Sequence, residues 1–227
     1  MKKLYIIGES HTRQFAYRKN IVPVFMGSGK TINLDNTKLL NNKIQNVISN
    51  IKNIEDAIIF LYLGEPNCRI KLKNHWTPHW DELHKGIKID STPNEDYIIN
   101  SIKKYEYIIM NNIDYLITPT CAYDPVIPSL KIFNKKLKDV FNEKVIDIFQ
   151  HSIDEKDKVF NSFKAKDWLK DPIHLNSRIC DNFIDELYNK KIIIDKSFYS
   201  KEIDGYFGTH LLRCADQSKF GSYIIKD

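Results

Sequence analysis

The chain has 227 residues, with 34 Lys+Arg against 29 Asp+Glu, a formal charge of +5, and 42% hydrophobic residues including 12% aromatics. That composition is globular and excludes wholesale disorder, and the length suffices for one sizeable core. The five arginines (Arg13, Arg18, Arg69, Arg178, Arg213) are scattered rather than clustered. Phosphate readers gather Arg and Lys on one face, so no nucleic-acid partner is expected.

No apolar run approaches the ~20 residues a membrane span needs, so no membrane partner is expected. Leu4–Ile7 is cut short by Gly8-Glu9, too early for the ~7–15-residue apolar stretch of a secretory signal. Cys68, Cys121, Cys180 and Cys214 show no CxxC spacing. The expectation is a cytoplasmic protein with reduced thiols.

In chain order, five short apolar runs read as strands: Lys3–Ile7, Ile21–Phe25, Ala57–Leu63, Tyr115–Thr118 and Val145–Phe149. Each is continuous rather than alternating, the pattern of strands covered on both faces. Helical spacing fills the intervals. Leu39, Leu40, Ile44, Val47, Ile48 and Ile51 form one stripe, and Tyr97–Met110 and Leu130–Phe141 read as two further helices. A last helix is expected over Ser177–Asn189, with Asn176 as a capping candidate. Strands alternating with helices predict an α/β fold, an open doubly wound parallel sheet of about five strands between helical layers. Residues 1–189 read as one domain with a loop insertion at about 69–93, and 190–227 as a C-terminal extension packed on it.

Ligands of such sheets bind beyond the carboxyl ends of the strands. Gly8-Glu9-Ser10-His11 follows the first strand, Gly27-Ser28-Gly29-Lys30-Thr31 the second, Gly64-Glu65-Pro66-Asn67-Cys68-Arg69 the third and Pro119-Thr120-Cys121 the fourth. Asp171-Pro172-Ile173-His174 lies beyond the fifth. A serine, glycines, an amide and an Asp/His pair on one edge make the inventory of serine-based acyl transfer.

These residues resemble, in the same order, the blocks of the SGNH (GDSL-like) hydrolase family over roughly Lys3 to Leu187. Ile7-Gly8-Glu9-Ser10-His11 resembles block I, with Glu9 where the family usually has Asp. Gly29-Lys30-Thr31 resembles block II, Gly64 to Asn67 block III, and Asp171-Pro172-Ile173-His174 block V. The resemblance implies a flavodoxin-like three-layer α/β/α fold with strand order 2-1-3-4-5. It implies Ser10 as nucleophile, His174 as base, Asp171 as its orienting partner, and the backbone N–H groups of Ser10 and Gly29 as oxyanion donors. Block III departs from the pattern, because the family's asparagine position is occupied by Pro66. Asn67, one residue later, is the expected third donor, with Arg69 at the substrate; in the alternative the Arg69 guanidinium donates to the oxyanion instead. If His174 is not the base, His11 is the next candidate.

Other patterns are weaker. A P-loop would need glycine at the position of Val24. His75, His79 and His84 do not have HExxH spacing, so no metal and no cofactor are expected. Trp76 and Trp80 are candidates for lining a substrate cleft. Lys131, Lys135, Lys136 and Lys138 read as a solvated helix face. The expected function is a serine esterase that removes a small acyl group from an O-acylated small molecule or carbohydrate. An O-acyltransferase with the same triad, or a non-catalytic binding module on this fold, are the alternatives.

Overall fold

The computed structural model describes residues 1–15, 18–26, 37–53, 56–70, 92–108, 112–164, 174–200, 214–217 and 223–225. Five parallel strands form the sheet: β1 (Lys3–Gly8), β2 (Ile21–Phe25), β3 (Ala57–Tyr62), β4 (Tyr115–Ile117) and β5 (Val145–Ile146). Within the sheet these five have the spatial order β5-β4-β3-β1-β2, the order that the family resemblance implies. β1 is central and pairs with both β2 and β3. It is therefore covered on both faces, and Leu4, Ile6 and Ile7 are wholly buried. That is why it reads as a continuous apolar run.

Beyond β2 the sheet continues antiparallel. β7 (Tyr223–Ile225) pairs with β2, and β6 (Cys214–Gln217) pairs with β7. The C-terminal extension thus adds two strands to the five that sequence reading finds.

Helices α1 (Thr37–Lys52), α3 (Glu95–Ile108) and α4 (Ile127–Phe141) follow β2, β3 and β4, with the short α2 (Glu65–Ile70) directly after β3. α1 packs on α3 and α3 on α4, as right-handed crossovers in one direction along a sheet require. On the other face, α5 (Ile179–Asn189) packs against the 3₁₀ turn Ser10–Phe15. The buried stripe of α1 is Leu40, Ile44, Val47, Ile48 and Ile51, while Leu39, expected in it, is 45% exposed. Lys131 and Lys135 are exposed on α4, and Lys138 pairs with Asp147 at 2.6 Å. β5 is only two residues long: Ile148 and Phe149 donate their N–H groups to the Thr118 hydroxyl instead of to a strand.

Two glycines shape the edge where β1 and β3 end. A side chain on Gly8 would lie 2.0 Å from the Tyr62 carbonyl oxygen, so only hydrogen allows β1 and β3 this close an approach. Gly64 has φ +110°, in the left-handed region, and carries the chain from β3 into α2. A Cβ there would meet the Phe133 ring at 2.4 Å.

Candidate functional site

Ser10 sits on the first residue of the 3₁₀ turn that leaves β1, a turn closed by Thr12, whose N–H and hydroxyl both donate to the Glu9 carbonyl at 3.0 and 2.9 Å. This lifts the serine off the end of the central strand and leaves it partly exposed. His174, distant in sequence, meets it: His174 Nε2 lies 2.9 Å from Ser10 Oγ. The loop carrying His174 is fixed by the residues that follow it. Leu175 bridges to Lys164, and Asn176 donates its N–H to the Phe163 carbonyl at 2.8 Å. The Asn176 amide donates to the Ser162 and Lys164 carbonyls, and its oxygen accepts from Arg178 N–H at 2.9 Å. α5 begins at Ile179, two residues later than expected, with Arg178 rather than Asn176 at its N-cap; Asn176 instead staples the histidine loop to the turn at 162–164.

Asp171, Gly29, Trp76 and Trp80 lie outside the described residues, as do His75, His79 and His84. Asn67 and Arg69 are described, on α2. The fully buried Asn67 donates from Nδ2 to the Tyr97 hydroxyl at 2.9 Å. Arg69 grips Glu65 one helical turn back, Nε to Oε1 at 2.8 Å, and 12% of its side chain remains open. Pro66, which interrupts the sequence pattern, occupies the first turn of α2. There a missing N–H costs nothing, because first-turn N–H groups have no partner within the helix.

Beneath the serine lies a group of ionisable residues whose association sequence reading missed. Glu9 and His11 are each 1% exposed and Glu65 is 0%. His11 Nδ1 donates to Glu9 Oε2 at 2.9 Å and lies 3.9 Å from Glu65 Oε2. The His11 ring is 4.5 Å from the His174 ring and 6.4 Å from that of Tyr62, whose hydroxyl accepts from the Gln14 amide and the Thr120 N–H. Burial works against the charged form of His11. The Glu9 and Glu65 carboxylates outweigh it, and the His11 pKa is raised above its ordinary value. Burial likewise opposes ionisation of Glu65, and Arg69 with His11 outweighs it, holding the carboxyl below its ordinary range. The available signals were the Glu65/Arg69 spacing of one helical turn and three ionisable residues beside apolar strand ends.

His11, Glu65 and Cys121 bring potential metal-ligating atoms within 4.8 Å of one another. Arg69 already occupies Glu65, and the burial that raises the Cys121 thiol pKa keeps it protonated. Among the described cysteines, Cys68, Cys121 and Cys180 are buried and free. Among the described residues, no helix is long and apolar enough to cross a membrane.

No family model matches the chain. No curated protein matches it either. Two solved structures resemble it at low identity. One is a GDSL-like lipase from Bacteroides thetaiotaomicron, at 14% identity and TM-score 0.49, covering 84% of this chain and 87% of that one. The other is LAE5, an alpha/beta hydrolase enzyme from the metagenome of Lake Arreo, at 12% identity and TM-score 0.47, covering 86% and 96%.

Proposed function

We propose that the protein is a serine hydrolase of SGNH type acting on carboxylic esters through an acyl-enzyme. The observation that carries this reading is the 2.9 Å contact between Ser10 Oγ and His174 Nε2. It joins a serine at the end of the central strand to the histidine of an Asp-x-x-His sequence, at the sheet edge where such folds bind ligands.

In this mechanism His174 carries its proton on Nδ1, leaving Nε2 to accept from the Ser10 hydroxyl. Asp171, three residues earlier, is assigned to hold that Nδ1–H and so fix the tautomer. Ser10 Oγ attacks the ester carbonyl as its proton passes to Nε2. The tetrahedral intermediate collapses, His174 returns the proton to the leaving alcohol, and an acyl-serine remains. Water, deprotonated by the same Nε2, attacks the acyl-serine, and as the intermediate collapses His174 returns that proton to Ser10 Oγ and the acid is released. The developing oxyanion is assigned to the backbone N–H groups of Ser10 and Gly29 and to the Asn67 amide, which Tyr97 holds in place. A substrate role for Arg69 is proposed for the part of its side chain that Glu65 leaves open. Trp76 and Trp80 are proposed to line the cleft, and the proposed substrate is a small O-acyl, such as O-acetyl, ester of a carbohydrate. No metal or cofactor enters any step, and the proposed location is the cytoplasm.

A p-nitrophenyl ester series of increasing acyl length, with and without sugar acceptors and read alongside intact mass, tests the proposal. Turnover with a transient acyl adduct on Ser10 supports the esterase. Acyl transfer to the sugar at the expense of hydrolysis selects the acyltransferase. Absence of both adduct and turnover across the series leaves the binding module.

A further inference from the structure

The Ser10 hydroxyl has one proton and two acceptors beside it. His174 Nε2 is at 2.9 Å and Glu9 Oε2 is at 3.4 Å. A carboxylate is the stronger hydrogen-bond acceptor when it is otherwise unengaged. A serine that donates to Glu9 withholds its proton from the base. The Glu9 oxygen facing the serine is the same one that accepts from His11 Nδ1 at 2.9 Å and from the His11 backbone N–H at 3.4 Å. His11 is held in turn at 3.9 Å from Glu65, which Arg69 clamps at 2.8 Å. We propose that His11 is a positioning residue: by occupying Glu9 Oε2 it keeps the carboxylate from capturing the Ser10 hydroxyl, so that the hydroxyl points to His174.

The role suits the local chain. Ser10 lies between Glu9 and His11, and the 3₁₀ turn brings both side chains back beneath it. A carboxylate this close to the nucleophile is a liability unless it is engaged. The groups facing His11 come from every neighbouring element: Glu9 beside it, Tyr62 on β3, Glu65 and Arg69 on α2, Cys121 after β4, and His174. Of the side-chain contacts of His11, the Nδ1–H to Glu9 bond is the one that engages the carboxylate oxygen facing the serine. The inference rests on the reading of Ser10 and His174 as nucleophile and base.

The test compares His11→Phe, which keeps a ring against His174 but removes the donor, with His11→Asn, whose amide nitrogen stands near the position of Nδ1. Glu9→Gln and the double variant Glu9→Gln/His11→Phe complete the set. Each is measured as kcat per active site, titrated with a fluorophosphonate, and as the rate at which that probe labels Ser10. Titration per site removes the effect of a partly folded sample, which a merely structural role would produce. The expected result for His11→Phe is a loss of about 10²-fold in kcat and in labelling rate, the low end of what a general base contributes. KM should change little. His11→Asn should stay within a few-fold of the parent, and the double variant within a few-fold of Glu9→Gln, because no carboxylate then competes. The inference is overturned if His11→Phe has parental kcat per site, or if the double variant is no faster than His11→Phe. Should His11→Phe not fold, the double variant decides alone: a 10²-fold loss relative to Glu9→Gln overturns the inference. Failure of the underlying reading looks different, since Ser10→Ala would then still turn over ester or the probe would label another residue.

Discussion

At the C-terminal ends of β1 and β3, Glu9, His11, Glu65 and Arg69 are buried against one another. At the N-terminal ends of the same strands the charges stand in solvent. There a groove of about 970 Å³ opens between Lys2, Asp114, Lys144 and Lys191. The Lys2–Asp56 pair beside it leaves 51% and 75% of its side chains exposed. That groove lies at the end without the convergent chemistry. Exposed ion pairs contribute little and need no explanation. A fully buried carboxylate persists only where partners offset its desolvation, so buried charge rather than the groove points to the candidate site.

Removing Ser10 or Asp171 should do most to separate the two ends. Ser10→Ala is expected to lower kcat/KM by roughly 10⁴-fold or more, with unchanged thermal stability, since a partly exposed hydroxyl adds little to the core. Near-parental turnover in the folded variant would return the C-terminal edge to mere structure. Asp171→Asn should cost roughly 10³–10⁴ in kcat with KM little changed, because the wrong imidazole tautomer is then favoured.

Two positions on α2 divide the site's chemistry from its support. Asn67→Ala should cost about 10²–10³ in kcat if its amide serves the oxyanion. Arg69→Ala removes the clamp on a carboxylate that is 0% exposed, and breaking a buried pair costs about 3–5 kcal/mol. Its first symptom should therefore be a lower Tm, accompanied by a rise in KM if the open part of the side chain meets substrate. A kcat loss confined to Arg69→Ala, with Asn67→Ala within a few-fold of the parent, would exchange the two roles.

Most of the parallel sheet was legible because β1, β2 and β3 are covered on both faces and must be apolar throughout. β5 was over-extended because Ile148 and Phe149 are apolar for the core yet bond to Thr118 rather than to a strand. Strand β6, Cys-Ala-Asp-Gln, carries no apolar pattern, and pairing with β7 defines it. Pro66 reads as a break in sequence but is tolerated in the first turn of a helix. Ser10 and His174 were legible because each sits in a short pattern of its own. The Glu9–His11–Glu65–Arg69 association was not, since it depends on how closely β1 and β3 approach at Gly8.

The two kinds of ion pair should also differ in their response to pH. The Glu65 pKa is lowered from its ordinary 4.5, so its contribution to stability is present above that value and is lost as pH falls through the folded-state pKa. The His11 pKa is raised from 6.5, so its contribution is complete below that value and is lost as pH rises through the folded-state pKa. Both contributions are present between about 4.5 and 6.5, and the Tm difference between the parent and His11→Asn should be greatest in that window. A difference that is constant from pH 4 to 9 would mean that folding does not shift the His11 pKa. Activity has its own limb: kcat/KM should fall on acidification as His174 takes up a proton and ceases to be a base.

The smallest expected effect is at the surface. Lys131 on α4 contacts both oxygens of Asp157, at 3.0 and 2.8 Å, the bidentate geometry by which a strong pair is usually recognised. Yet both side chains are 48% exposed. Water screens their attraction, and fixing a long lysine side chain costs entropy. Lys131→Ala should therefore change stability by less than about 1 kcal/mol. For a protein of this size that is a Tm shift of under about 2–4 °C. Added salt should erase even that shift, because exposed charges are screened within about a Debye length, ~3 Å at 1 M. Arg69→Ala should keep its deficit under the same salt, since ions do not enter the buried site. If Lys131→Ala is as damaging as Arg69→Ala, or as insensitive to salt, then burial is not what separates the two sets of charges, and distance alone would have to account for both.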